Sequence, residues 1–262
     1  MSAGTSHPPV VVKVGGGALA GGALEDLPEV LATGVPVVLV HGGGASLTRM
    51  LDALGIETEF RDGLRVTSEA ALEVAEMVFA GKVNKSLVRE LGGLGVPAVG
   101  LSGTDGPTLL VEPIPGLGRV GEVVEVRTKL LKAVSGAGFV PTLAPLGLGP
   151  VGDGSGAFNV NADYAAAAVA DALGASDLFL LTDVDGFLEE GRLVGHLSRA
   201  EVERHLASGE AAGGMAPKLR SALKASRGGV AARILNGNAP GTLLAALEGK
   251  PVGTLVTNGS GG

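Results

Sequence analysis

The chain has 262 residues and a formal charge of −7, enough length for one large domain or two close-packed lobes. Its acidic balance, with 3% aromatic residues and no basic cluster, excludes a surface built to hold nucleic acid. Zero cysteines exclude a disulfide framework and a zinc–thiolate site, and every apolar run stops well short of the roughly 18 residues a membrane-spanning helix needs. Met1–Pro9 lacks the basic-then-apolar order of a secretory signal, so the cytoplasm is the expected compartment. With a mean hydropathy of +0.39, the apolar residues have to be packed inside.

The first predicted element is a buried strand over Val10–Val14, in which the only charge, Lys13, stands just before Gly15-Gly16-Gly17. An ammonium at the end of a buried strand calls for an anion, and glycines let backbone N–H groups approach a phosphate without Cβ interference. A lysine snorkelling above an ordinary turn is the alternative. A helix over Leu24–Ala32 follows. Val37–Val40 is a second strand, running into His41-Gly42-Gly43-Gly44, and Leu47, Met50, Leu51 and Leu54 give a helix closed by Gly55 at C′. Two βα units of a parallel sheet result, with both glycine loops at its carboxyl edge, where open α/β folds bind ligands. His41 is a loop histidine that can bond backbone.

Asp62–Thr67 leads into a helix over Ser68–Ala80. Arg65, on that approach, can offer its planar fork to a carboxylate or pair with a surface acid. A separate helix spans Val83–Leu91 and a strand Ala98–Leu101. Leu109–Glu112 and Val120–Val126 form an antiparallel hairpin across a Pro/Gly-rich connection. Gly116–Gly121 and Gly147–Gly152 both match G-x-G-x-x-G, but neither joins a strand to a helix, so both read as turns. Val140–Ala144 is a further strand. Asn159-Val160-Asn161-Ala162-Asp163 opens an alanine-rich helix to Leu173, with Asn161 or Asp163 as its N-cap. Leu178–Asp183 is a strand, Ser198–Glu201 a capping box, and Gly213–Lys218 a glycine-led helix start with Pro near N1. Ala232–Leu235 and Gly253–Thr257 complete the sheet, with Pro240 opening the helix between them.

In order, Lys13-Val14-Gly15-Gly16, Val40-His41-Gly42-Gly43-Gly44, Asp62–Thr67, Asn159–Asp163, Leu181-Thr182-Asp183-Val184 and Gly214-Met215-x-x-Lys218 resemble the amino acid kinase family. The match covers nearly the whole chain. Asp62–Thr67 and Asn159–Asp163 are the segments most similar to the branch acting on N-acetyl-L-glutamate.

The resemblance implies an α/β fold, a three-layer αβα sandwich around a mainly parallel sheet. Residues 1–174 would form the amino-acid lobe and residues 175–262 the nucleotide lobe. The implied activity is phosphorylation of the γ-carboxylate of N-acetyl-L-glutamate by ATP, a step of arginine biosynthesis, with Mg²⁺ bound together with ATP and no metal ligand from the chain. Lys13, Lys218 and Asp163 would be catalytic. Gly43, Gly44, Arg65 and Asn159 would bind the amino acid, and Gly15, Gly16, Thr182, Asp183 and Gly214 the nucleotide.

Physical chemistry agrees with that cast. The acceptor is a carboxylate with an ordinary pKa of about 4, so it arrives deprotonated and needs no general base. Catalysis is left to positioning and to cations and N–H donors around the transferring phosphoryl group. The competing readings are a carrier-protein-linked aminoadipate kinase of lysine biosynthesis and a family member that binds nucleotide and amino acid without turnover. Arginine-inhibited members carry an extra amino-terminal helix that interlaces dimers into hexamers. Here nine residues, including Gly4, Pro8 and Pro9, precede the first strand, so the expectation is an arginine-insensitive homodimer. Its contact would be the helix near Ser68–Ala80 with neighbouring sheet edges, where Leu72, Val74, Met77 and Val78 stand beside Glu73 and Glu76; burial of these residues inside the monomer is the alternative.

Overall fold

The valine-rich opening run forms strand β1 (Val10–Val14), buried along its whole length. The computed structural model describes residues 7–15, 22–150, 156–211 and 213–259. A 3-10 turn over Gly22–Asp26 leads into α1 (Leu27–Ala32), so this helix starts later than its apolar residues suggest. Pro28 sits in its first turn, where the missing N–H has no partner to lose. Then come β2 (Val37–His41) and α2 (Gly44–Ala53), the latter stopped by Gly55 in the left-handed region at φ +69°.

A short hairpin that the sequence pattern did not announce, β3 (Glu59–Arg61) and β4 (Leu64–Val66), carries Arg65. Beyond it, α3 (Glu69–Glu76) runs through a π-helical segment, Met77–Val83, directly into α4 (Asn84–Gly93). The two separate helices expected here are therefore one continuous rod. Ser68 caps it by accepting from the Ala71 N–H. The middle of the chain supplies β5 (Ala98–Ser102), β6 (Leu109–Pro113), β7 (Gly121–Val126), α5 (Lys129–Gly136), β8 (Val140–Ala144), β9 (Leu146–Leu148) and β10 (Ala157–Asn159). The last part supplies α6 (Ala162–Leu173), β11 (Asp177–Thr182), β12 (Leu188–Glu189), β13 (Arg192–Leu193), β14 (His196–Ser198) and α7 (Arg199–Ser208). It ends with α8 (Met215–Arg227), β15 (Ala231–Asn236), α9 (Thr242–Leu247) and β16 (Thr254–Thr257).

Among the described residues the main sheet has eight strands in the order β14-β16-β15-β11-β1-β2-β8-β5. It is parallel except where β15 meets β16. A second sheet, β10-β9-β6-β7, contains the expected β6–β7 hairpin. Gly116 and Gly118, at φ +79° and +66°, turn the chain between those strands, so the first G-x-G-x-x-G is a turn.

Because side chains alternate along a strand, β1 divides the core in two. Val10, Val12 and Val14 pack with Leu27 of α1, Leu87 and Leu91 of α4, and Leu243 of α9. Val11 faces the other way, with Ala165, Ala166 and Val169 of α6 and Leu219 of α8. Helices on both faces of a mainly parallel sheet make the expected three-layer αβα sandwich. Lys13 shares the face of Val11 and so points toward α6 and α8. No helix among the described residues is long and apolar enough to cross a membrane.

The carboxyl ends of β1, β2 and β11 come level, since Val14 pairs with both His41 and Leu181. A Cβ on Gly15 would lie 2.8 Å from the Leu181 carbonyl oxygen, which is why the chain leaves β1 on a glycine. Just past the carboxyl end of β15, the buried Asp26 carboxylate accepts from the backbone N–H groups of Gly241, Leu243 and Leu244, capping α9 and tying the start of the chain to its end.

Candidate active site

The first turn of α6 settles which residue caps that helix. The Asn161 side chain accepts from the N–H groups of Asp163 and Tyr164, at 2.9 and 3.2 Å, which leaves the Asp163 carboxylate free for tertiary contacts. Its Oδ1 lies 2.8 Å from the Lys13 ammonium and its Oδ2 3.7 Å from that of Lys218. Lys218 comes from the first turns of α8, whose N-cap Gly214 has no side-chain cap; the ammonium also donates to the Gly214 carbonyl at 3.2 Å. All three charged side chains are nearly shielded from solvent, at 7%, 7% and 12% exposure.

Burial by itself would raise the Asp163 carboxyl, but the two ammonium groups outweigh it and hold it below the usual carboxylate value. Burial lowers the Lys218 ammonium from its ordinary value, and Asp163 offsets part of that. A lone cation buried here would be unstable; two cations around one carboxylate leave a net positive site suited to an anion.

On the other side of the β2 loop, Gly43 is the N-cap of α2 with φ +151°, and a Cβ there would press on Phe79 at 3.0 Å. A Cβ on Gly44 would meet nothing within 4 Å. No side chain caps α2, so its first N–H groups and its positive dipole end are left for an anion.

Arg65 is only 7% exposed, which removes the surface-pair reading. Its Nη2 donates to the Thr48 hydroxyl at 2.6 Å and to the Gly44 carbonyl at 3.3 Å, while the guanidinium lies 4.5 Å over the Phe60 ring. Its Nη1 is buried with no hydrogen-bond partner among the described residues. A cavity of about 190 Å³ is lined by Gly44, Phe60, Arg65, Asn159, Asn161 and Ala162, among others. Asn159 is fixed by donating to the Thr67 hydroxyl at 3.1 Å, and Thr67 in turn donates to the Arg65 carbonyl at 2.9 Å. An orphaned guanidinium N–H beside an amide and a helix N-terminus is a donor set for a carboxylate.

The structure thus brings Lys13, Asp163 and Lys218 into direct contact and gathers Gly44, Arg65 and Asn159 around one cavity, which Gly43, the N-cap of α2, does not line. Gly15 and Thr182 lie at matching levels on neighbouring strands. The buried Thr182 hydroxyl donates to the exposed Asp183 carboxylate at 3.1 Å. Gly16 lies outside the described residues, as do Met1–Ser6, on which the expectation about the amino terminus partly rests. Sequence reasoning missed Thr48 and Phe60, which hold Arg65 from α2 and β3, and Asn161 as a cavity wall. The hydroxyl one turn into a glycine-led helix was the available signal for Thr48; Phe60 had none.

The chain is similar to known proteins in both sequence and fold. The model of the amino acid kinase family matches residues 8–236. The chain is 65% identical over 247 residues to the acetylglutamate kinase of Rubrobacter xylanophilus, covering 94% of this chain and 96% of that protein. Among solved structures, the N-acetylglutamate synthase of Neisseria gonorrhoeae, complexed with coenzyme A and N-acetyl-glutamate, is similar with a TM-score of 0.82 and 32% identity. That match covers 98% of this chain and 61% of the longer synthase. A Streptococcus mutans protein is similar at a TM-score of 0.84 and 28% identity, covering 96% of this chain and 99% of that one.

Proposed function

The chain belongs to the amino acid kinase family, and we propose that it transfers the γ-phosphoryl group of ATP to the γ-carboxylate of N-acetyl-L-glutamate, a step of arginine biosynthesis. The products are N-acetyl-L-glutamyl 5-phosphate and ADP. The observation that carries this reading is the buried Lys13–Asp163–Lys218 cluster, next in the chain to a cavity whose Arg65 has an unpartnered Nη1. The acetylglutamate kinase relative favours this acceptor over a carrier-linked aminoadipate.

In this reading Arg65 takes the α-carboxylate of the amino acid, Asn159 its amide region, and the loop Gly43-Gly44 its γ-carboxylate and the transferring group. A carboxylate oxygen attacks the γ-phosphorus as the bond to the β-phosphate oxygen breaks, and the electron pair leaves with ADP. No proton has to be moved. Lys13 and Lys218 face the equatorial oxygens, where charge is spread in the transition state. Asp163 holds both ammonium groups in place beforehand, so little reorganisation is left to the moment of reaction. Gly15, Thr182, Asp183 and Gly214, with Gly16 as the sequence suggests, line the nucleotide side.

The donor set suits Mg²⁺ carried by the nucleotide: the buried carboxylate here, Asp163, has both oxygens against ammonium groups, which leaves it poorly disposed to serve as a metal ligand. Bound that way, the ion would neutralise phosphate charge. The cavity-lining residues Gly44 to Ala162 all precede residue 174, while Thr182 and Lys218 follow it, which supports an amino-acid lobe over 1–174 and a nucleotide lobe over 175–262.

Assembly as a homodimer is part of the same proposal. Leu72, Val74 and Val78 are buried within the chain, so a contact through the rod formed by α3 and the π-helical segment would rest on Met77, 58% exposed, with the glutamates around it. Light scattering tests this, with a dimer mass expected. The function itself is tested by ADP release with N-acetyl-L-glutamate and with free L-glutamate; equal turnover of the two would overturn the assignment.

A further inference from the structure

His41 ends β2 immediately before the glycine loop, is fully buried, and has no part in the chemistry above. Its Nδ1 lies 2.7 Å from the Gly42 carbonyl oxygen and its Nε2 3.0 Å from the side-chain amide of Asn84. Asn84 is also fully buried, at the start of α4 where the π-helical segment ends. The same amide nitrogen lies 2.8 Å from the Thr142 carbonyl of β8 and 3.3 Å from the Leu101 carbonyl of β5.

The amide has two N–H groups for these three acceptors, so the tautomer of His41 is set at its other nitrogen: the Gly42 carbonyl can only accept, and Nδ1 must donate to it. Two backbone carbonyls can only accept, so they hold the Asn84 amide nitrogen, not its oxygen, on the side facing the ring. The ring nitrogen facing it, Nε2, meets a group that cannot accept and so is the unprotonated side of the ring. The single proton of the neutral imidazole is left on Nδ1 and is donated to the Gly42 carbonyl. A carbonyl and the N–H that follows it lie trans in one planar peptide, so drawing the Gly42 oxygen toward His41 turns the Gly43 N–H away from the buried ring.

We propose that Asn84 and His41 are positioning residues for phosphoryl transfer, fixing through the Gly42 carbonyl the direction in which the glycine loop presents its N–H groups. The proposal rests on the kinase reading of the site. The π-helical segment acts on the loop twice: it delivers Asn84, and its Phe79 and Val83 pack where a Cβ on Gly43 would stand, at 3.0 and 3.2 Å. The extra residue per turn is what brings these groups to bear on one loop, a common role for π segments near functional sites. Burial agrees with the tautomer argument, since it lowers the His41 pKa to about 4, and the adjacent Lys85 works in the same direction, leaving the ring neutral at ordinary pH.

Two substitutions at one position separate positioning from packing. His41→Asn places an amide N–H near the position of Nδ1 and keeps the donation to Gly42; His41→Gln places its amide near Nε2 and loses it. For His41→Gln, kcat with N-acetyl-L-glutamate and ATP should fall on the order of 10- to 100-fold with both KM values within about threefold of the parent. His41→Asn should recover most of that kcat, while thermal unfolding shows both variants destabilised to a similar degree. Parent-like kcat in His41→Gln, or equal losses in the two variants, overturns the proposal. The parent enzyme measured alongside reports separately on the kinase reading. Imidazole ¹⁵N NMR needs no substrate: the signal that disappears in His41→Asn should be a neutral ring protonated at Nδ1, and protonation at Nε2 overturns the proposal even if the enzyme turns over.

Discussion

The Asp163 carboxylate stands between two ammonium groups, 2.8 Å from Lys13 and 3.7 Å from Lys218, so a single residue in the first turn of α6 sets the spacing of cations supplied by β1 and α8. Three elements distant in sequence meet at one charge cluster. The α6 helix dipole favours the carboxylate in that first turn, and the carboxylate makes two buried like charges tolerable.

Removing the charge while keeping the shape tests this dependence. Asp163→Asn should lose about 3–5 kcal/mol of unfolding free energy, as expected when one partner of a buried ion pair is removed. It should also lower kcat by on the order of 100-fold. Denaturant unfolding and steady-state kinetics on the same preparation check both.

Lys13→Ala and Lys218→Ala should each lower kcat by about 100-fold or more with little change in KM, the split expected of groups that act, as proposed above, mainly on transition-state charge. A normal kcat in Lys218→Ala would show that the phosphoryl group lies elsewhere.

Arg65→Lys should behave in the opposite way. Lysine keeps a cation but loses the planar fork that holds Thr48 and the Gly44 carbonyl through Nη2 while leaving Nη1 for the proposed carboxylate. The KM for N-acetyl-L-glutamate should rise on the order of tenfold or more, with kcat less affected. Initial-rate kinetics at saturating ATP give the split.

Acid should weaken the fold through His41. Its pKa is about 4 in the folded chain against an ordinary 6.5, so above pH 6.5 neither state holds the proton and stability is unaffected. Between 6.5 and about 4 the unfolded chain takes up a proton that the folded one refuses, and up to about 3 kcal/mol is lost as the pH falls. The difference in unfolding free energy between the parent and His41→Asn isolates this from other titrating groups: the variant should show a shallower decline by close to one proton across that window.

The strands that position the site were legible because strands buried on both faces are near-continuous apolar runs, as in Val10–Val14, broken only by Lys13, and in Leu178–Leu181 within β11. The three catalytic candidates each stood out as a charge beside a strand end or glycine turn, where burial of an ion needs a reason. What stayed hidden was tertiary. The β3–β4 hairpin is short and its first strand exposed, so no periodicity marks it, and the stacking of Arg65 on Phe60 follows only once that hairpin closes. The rod from α3 to α4 reads as two helices in the sequence because the π-helical segment that joins them carries no sequence signature. Asp26 could not be matched with α9, because its partners lie at the far end of the chain.

Trapping the product tests the central claim most directly. Incubated with Mg-ATP and hydroxylamine, the protein should convert N-acetyl-L-glutamate to its γ-hydroxamate with one ADP formed per hydroxamate, and should give far less product with N-acylated aminoadipate or aspartate in parallel. No hydroxamate from N-acetyl-L-glutamate, or as much from the aminoadipate derivative, would contradict the account.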